Sequence, residues 1–145
     1  MFEIATNIAR PPREVFAYLA RIEDAPRWYS AVEQVERLDT GPTRRGTRSR
    51  FRRQFGGTTV DNEVEISEFE PDRAITLRSI SGPTPFVYRY RLQPSNEGTL
   101  LRLQGEISGE GLGGPFELFK SFAETFFRRG MVANLGSLKR LVESA

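Results

Sequence analysis

Arg53, Asn62, Tyr88 and Tyr90 are the side chains of this sequence that combine a chemically useful type with a strand position pointing into an enclosed space. An arginine fork can hold a carboxylate or a phenolate through two parallel hydrogen bonds. A buried asparagine amide needs partners, which a ligand, a trapped water or a tyrosine hydroxyl can supply. A tyrosine can orient a ligand or donate a proton. The missing residue types narrow the chemistry further. There is no histidine and no cysteine among the 145 residues. The usual general base near neutral pH, the commonest transition-metal ligand, the Ser-His-Asp triad, the thiolate metal site, the cysteine nucleophile and any disulfide framework are therefore ruled out. Acid–base chemistry would have to run through Asp, Glu, Tyr, Lys or Arg with shifted pKa values. The sequence leaves open whether any reaction is catalysed.

Those four residues need elements to position them. The length fits one domain spanning 1–145, enough to bury a real core. Charged residues at 28% and hydrophobic ones at 38% argue against wholesale disorder and against a membrane protein. No apolar run reaches the roughly 18 residues that a spanning helix needs. The N-terminus MFEIATNIARPP reads as a strand and a helix start, without the basic flank and apolar block of a signal peptide. A cytoplasmic location is the default expectation.

Nineteen of the twenty-one basic residues are arginine, although the net charge is only +2. Clustered arginine can signal phosphate or nucleic-acid binding. Register argues otherwise. Gly56-Gly57 between two alternating runs is a hairpin signal, because such a turn needs positive φ. It sets Phe55 opposite Thr58, and then Arg52 opposite Asp61, Arg50 opposite Glu63 and Arg48 opposite Glu65. Across the Pro71-Asp72 turn, Arg78 also falls beside Glu65. These arginines have local carboxylates on one face and form no open basic stripe. The other face carries Phe51, Phe55, Val60, Val64 and Ile66.

Residues 2–9 read as the first strand, followed by a helix from Pro11-Pro12 whose Val15, Phe16, Leu19 and Ile22 share one face. Pro26 interrupts the next turn, Trp28-Tyr29 follow, and a strand is expected near 32–39. A meander occupies 46–55, 58–70, 73–80, 85–93 and 99–108, with Gly, Pro, Asp and Asn turns between the strands. From Pro115 the period becomes helical, with Phe116, Phe119, Ala123, Phe126, Phe127, Met131, Leu135, Leu138, Leu141 and Val142 on one broad face. That helix would be about 45 Å long, with Gly130 and Gly136 as possible bends.

The order is that of an α+β domain in which a strongly bent sheet packs on one helix. Inward parity assigns Phe51, Arg53, Val60, Asn62, Val64, Leu77, Ser79, Phe86, Tyr88, Tyr90, Leu101 and Leu103 to the concave face. The phenylalanines on this face in the first half of the helix, Phe116, Phe119, Phe126 and Phe127, with the small Ala123, can line a slot or simply fill the core. Loops 56–57, 81–85 and 109–114 should share one end, the expected mouth. Arg53 lies near it, either anchoring a ligand or snorkelling to solvent. Trp28 is expected across the helix–sheet boundary, touching the cavity at one edge.

The run IARPPREVFAYLARIEDAPRWYSAV resembles the START-like or Bet v 1-like superfamily (SRPBCC), including bacterial polyketide cyclase/dehydrase-type proteins. The typical opening there is a strand, a small-residue and proline helix start, a Val-Phe helix and a tryptophan after a second short helix. Here those are Ile8-Ala9, Pro11-Pro12, Val15-Phe16 and Trp28. The segment EVEISEFEPDRAITLRS looks like that family's paired strands joined by a proline turn, and the C-terminal amphipathic helix extends the likeness over essentially the whole chain. The resemblance implies a helix-grip fold: a curved antiparallel sheet of about seven strands around a long C-terminal helix, with two short helices after the first strand. It also implies a deep apolar cavity for lipids, quinones, polyketides or other small molecules, without choosing among them. The glycine-rich loop of the plant members is not evident in TGPTRRG at 40–46, and the histidine of several family catalytic schemes is absent. No cyclase catalytic residue is carried over.

Three functions are expected in order. The first is a carrier or binding protein for a small hydrophobic molecule, in keeping with the phenylalanine-bearing helix, sparse inward polarity and missing histidine. The second is a cyclase, aromatase or dehydratase-type enzyme, in which Arg53 and Asn62 polarise a carbonyl and Tyr88 or Tyr90 donates a proton. The third is a protein-interaction module of the co-chaperone or ribosome-associated kind. Ligand contacts are expected from Trp28, Phe51, Arg53, Asn62, Val64, Leu77, Ser79, Tyr88, Tyr90, Leu103, Phe116, Phe119, Ala123, Phe126 and Phe127. The expected partner is a small apolar ligand, with no nucleic acid, no cofactor and no metal. Oligomeric state stays open.

Overall fold

The computed structural model describes residues 1–55, 57–107 and 120–145, and their side chains apart from those of 55 and 120–124. Alternation builds the first strand. β1 (Phe2–Ile8) buries Phe2, Ile4 and Ile8 and turns Glu3, Ala5 and Asn7 outward. Pro11-Pro12 opens α1 (Pro12–Ala20), which buries Val15, Phe16 and Leu19. The second short helix is a 3₁₀ segment (Ile22–Arg27) containing Pro26. A proline there removes a backbone donor, so the chain makes a short tight turn in place of a continued α-helix. The strands β2 (Val32–Arg37), β3 (Arg48–Phe55), β4 (Thr58–Glu70), β5 (Ala74–Ser81), β6 (Phe86–Ser95) and β7 (Gly98–Ile107) follow, and then the helix α2 (Lys120–Glu143).

All strands pair antiparallel in one sheet ordered β1-β7-β6-β5-β4-β3-β2. The β3–β4 hairpin has the register expected from its charges, with Arg48, Arg50 and Arg52 opposite Glu65, Glu63 and Asp61. Ion pairs join Arg52 to Asp61 at 3.2 Å and Glu65 to both Arg48 and Arg78 at 3.2 and 3.6 Å. Arg50 differs from the expected pairing. It binds Glu36 of β2 at 3.3 Å, its cross-strand neighbour on the other side. An inner strand offers each residue two such neighbours, and a hairpin read alone sees only one.

Register shifts lie between Val32 and Gln34, between Glu63 and Val64, and between Ile66 and Glu68. An extra residue on one strand sharpens the local bend and twist, which curls the sheet. The buried side of α2 carries Phe127, Met131, Leu135, Leu138 and Val142, spaced three or four apart. Its C-terminal end is tied to the end of β1. The Glu143 carboxylate accepts from the Ala9 N–H at 2.8 Å and from Lys139 at 2.9 Å, Lys139 also bonds the Asn7 carbonyl, and Arg10 bonds the Glu143 carbonyl at 2.7 Å. This is a helix-grip fold. The expected helix start at Pro115 lies outside the described residues. No helix among the described residues is long and apolar enough to cross a membrane.

Candidate functional site

Parity along β3 turns Arg53 to the opposite side from Arg52, and there it is buried, with 1% of its surface exposed. Its Nε and Nη2 donate to the Asn62 Oδ1 at 3.0 and 2.6 Å. Nη2 also reaches the Thr84 carbonyl at 3.1 Å, the Pro83 carbonyl at 3.3 Å and the Thr84 hydroxyl. Asn62 in turn donates through Nδ2 to the carbonyls of Ser81 and Pro83, at 3.1 and 2.6 Å. The loop between β5 and β6 is thereby folded over the base of the hairpin. Gly82 permits this closeness: it has φ +98°, and a Cβ there would stand 2.3 Å from the Asp61 carbonyl oxygen. The guanidinium carbon sits 4.6 Å from the Phe86 ring centroid, a cation–π contact. The snorkelling alternative is not realised. Burial lowers the Arg53 pKa, opposed by its interactions with Tyr29 and Tyr88.

Beside this arginine stands a group of aromatic side chains. The Tyr29 hydroxyl donates to the Tyr88 hydroxyl at 3.2 Å. Tyr88 stacks on Phe86 with centroids 5.0 Å apart, and Trp28 meets Tyr90 edge to face at 6.3 Å. Desolvation by burial pushes the Tyr29 hydroxyl above its ordinary pKa, against the lowering effects of Tyr88 and Arg53. Burial pushes Tyr88 and Tyr90 well above theirs. All three phenols keep their protons at neutral pH. They can donate hydrogen bonds, but they are poor proton donors in the acid–base sense.

A cleft of about 480 Å³ opens between this group and α2. Its described walls are Tyr29, Ser30, Ala31, Gln54 and Tyr88 on the sheet side, and Phe126, Phe127, Arg129, Gly130, Met131 and Asn134 on the helix. The size and the mix of apolar walls with a few polar groups fit a small-molecule site. One side chain sets the position of the strap 29–31. Asn134 is buried on α2 and accepts at Oδ1 from the Ser30 N–H at 3.1 Å and from the Ser30 hydroxyl at 3.2 Å.

Tyr88, Phe126 and Phe127 of the expected contacts line this cleft; Phe127 is buried, whereas Phe126 stands 60% exposed at the rim. Trp28, Phe51, Arg53, Asn62, Val64, Tyr90 and Leu103 are buried but do not line it. Leu77 and Ser79 are half-buried, and the Ser79 hydroxyl accepts from the Phe86 N–H at 2.8 Å. Phe116 and Phe119 lie outside the described residues, as does the side chain of Ala123 and the expected mouth loop 109–114. Sequence reasoning missed Tyr29, Ser30, Ala31, Gln54, Arg129, Gly130, Met131 and Asn134 as cleft residues. Asn134 had a readable signal, a polar residue inside the apolar arc between Met131 and Leu138. Tyr29 follows Trp28 in an irregular turn, where no period assigns a direction.

The curled sheet, the gripping helix and the cleft between them define the class: a helix-grip protein with a cleft between helix and sheet. A family model described as polyketide cyclase / dehydrase and lipid transport matches residues 1–143, and the chain belongs to that family. Its structure is similar to that of TTHA0849 from Thermus thermophilus, with TM-score 0.81 at 20% identity over 98% of this chain and 96% of that one. It is also similar to the Zhui aromatase/cyclase from Streptomyces sp. R1128, with TM-score 0.80 at 19% identity over 98% and 92% of the two chains. A START superfamily protein from Mycobacterium smegmatis gives TM-score 0.75 at 14% identity, covering 97% of each chain. At such identities the likeness is one of fold. Curated proteins offer no sequence match.

Proposed function

We propose that this protein binds a small, largely apolar molecule in the cleft between α2 and the sheet, acting as a carrier or binding protein. The observation that carries this reading is the cleft itself: about 480 Å³, walled by Phe126, Phe127, Met131 and Ala31, with the paired Tyr29 and Tyr88 hydroxyls as polar handles. Lipid transport is among the activities that the family's description names. Ligand contacts fall first on those residues and on Asn134, whose bond to Ser30 holds one wall in place. Arg53 and Asn62 support the site from behind, because the Arg53 fork is occupied by the Asn62 side chain and the carbonyls of Pro83 and Thr84. The ion-paired arginines of the outer face speak against a nucleic-acid partner. A cytoplasmic location goes with this reading.

A second reading, a cyclase-type enzyme, draws on the Tyr88 hydroxyl, which lines the cleft and is backed by Tyr29 and Arg53. The aromatase/cyclase named above has a similar fold. The high pKa of Tyr88 weighs against it as a proton donor, and carriage therefore ranks first. Native mass spectrometry and titration with a panel of fluorescent lipid and aromatic probes test the main reading. Saturable one-to-one binding is expected, and its absence across the panel would overturn the reading. Turnover of a polyketide-like substrate that Tyr88→Phe abolishes while probe binding persists would put the enzyme first.

A further inference from the structure

The outer face of the sheet, on the side away from the cleft, pairs most of its arginines with carboxylates. Arg48 stands opposite Glu65, Arg52 opposite Asp61, and Arg89 bonds Glu106. One row is different. It runs Glu70, Ala74, Arg91, Arg102, Ala5 across neighbouring strands and sets Arg91 directly opposite Arg102. Like charges in that relation repel. Arg91 bonds Glu68 at 2.8 Å and the Tyr90 carbonyl at 3.3 Å, both through Nη1, which leaves the rest of its fork without a partner among the described residues. The contact from Arg102 to Glu3 is 3.7 Å, longer than a hydrogen bond. Arg73, in the turn before β5, has no side-chain partner among the described residues. These three arginines line a recess of about 340 Å³ together with the short side chain of Ala74, which is buried, and with Gln93 and the carboxylate of Glu70.

We propose that this recess binds the phosphate group of a phosphorylated small molecule or lipid headgroup between Arg73, Arg91 and Arg102. A guanidinium fork takes two oxygens in parallel bonds. Three forks around one recess suit a phosphate monoester, whose terminal oxygens point in three directions, better than a carboxylate, whose two lie in one plane. An anion there also offsets the repulsion between Arg91 and Arg102, and it takes up the donors that Glu68 and Glu3 leave unused. The site is on the opposite side of the sheet from the cleft and does not depend on what the cleft holds.

Glycerol 3-phosphate tests the proposal, with glycerol as the uncharged control, since neither has an apolar part to enter the cleft. Calorimetric titration of the intact chain at low salt should show saturable binding of the phosphate alone. Arg73→Gln and Arg102→Gln should each weaken it about tenfold, and Glu70→Gln should tighten it about threefold by removing a like charge. Arg52→Gln deletes the same charge from an ion-paired position and should change nothing. Flotation with phosphatidylcholine vesicles, with and without phosphatidic acid, separates the two sources. Capture by phosphatidic acid that Arg73→Gln abolishes assigns a lipid headgroup, and binding of glycerol 3-phosphate without capture assigns a soluble phosphate. Failure of both to bind would overturn the proposal, as would equal losses in Arg52→Gln and Arg73→Gln. The cleft reading, which the apolar probes test, would stand in either case.

Discussion

Neighbouring positions on β4 allow a controlled comparison, because Asp61 and Asn62 serve adjacent arginines on opposite faces of one hairpin. Asn62→Ala deletes two bonds from the buried Arg53 guanidinium, at 3.0 and 2.6 Å, and two that hold the carbonyls of Ser81 and Pro83. A hydrogen bond to a charged group contributes about 1.5–3 kcal/mol, and a buried group left short adds its own desolvation cost. Arg53 keeps its bonds to Thr84, so the whole loss should be about 3–4 kcal/mol. For a chain of this length, that lowers the melting temperature by about 10 °C. Asp61→Ala removes a pair whose side chains are 48% and 46% exposed. Its loss should not exceed about 1 kcal/mol, and added salt should erase it while leaving the Asn62→Ala deficit in place. Urea unfolding read by the fluorescence of Trp28, the sole tryptophan, measures both. The reasoning is wrong if the two variants lose equal and small amounts, or if salt restores Asn62→Ala.

Three more outcomes are expected. Asn134→Leu should cost about 1–2 kcal/mol in urea unfolding by releasing Ser30, and should weaken binding of the fluorescent probes as the 29–31 strap shifts; unchanged affinity would remove Asn134 from the site. Tyr29, Tyr88 and Tyr90 have raised folded pKa values, so above the ordinary value of about 10 the unfolded chain loses protons first and stability falls as pH rises. Below that pH their contribution is intact, and in a Tyr18→Phe background, which leaves these three as the only tyrosines, phenolate absorbance should grow only as circular dichroism is lost; ionisation of all three in a chain that stays folded would contradict this. Glu143 behaves in the opposite sense. The Ala9 N–H and Lys139 hold its carboxyl below the usual range, so its contribution is present above that range and disappears as pH falls through the folded value. Glu143→Gln should flatten part of the acid limb of a urea-midpoint profile against pH, and superimposable limbs would exclude the contact.

Local signals determined the frame. Alternation, the Gly56-Gly57 turn and opposite charges set the β3–β4 register before any distant contact is considered, because every rung lies within one hairpin and its partners follow from the turn by counting outward. The same parity put Arg53, Asn62, Tyr88 and Tyr90 on the buried face, and helical spacing put Met131, Leu135 and Leu138 inward on α2. Only the tertiary structure decided what those side chains meet. Arg53 bonds the loop after β5 across 31 positions, and Asn134 bonds Ser30 across 104. Arg50 turns to Glu36 because β2 lies along the other side of β3. A period reports which way a side chain points. Its hydrogen-bond partner depends on how the sheet curls and where the helix crosses it, and that is settled by packing over the whole chain at once.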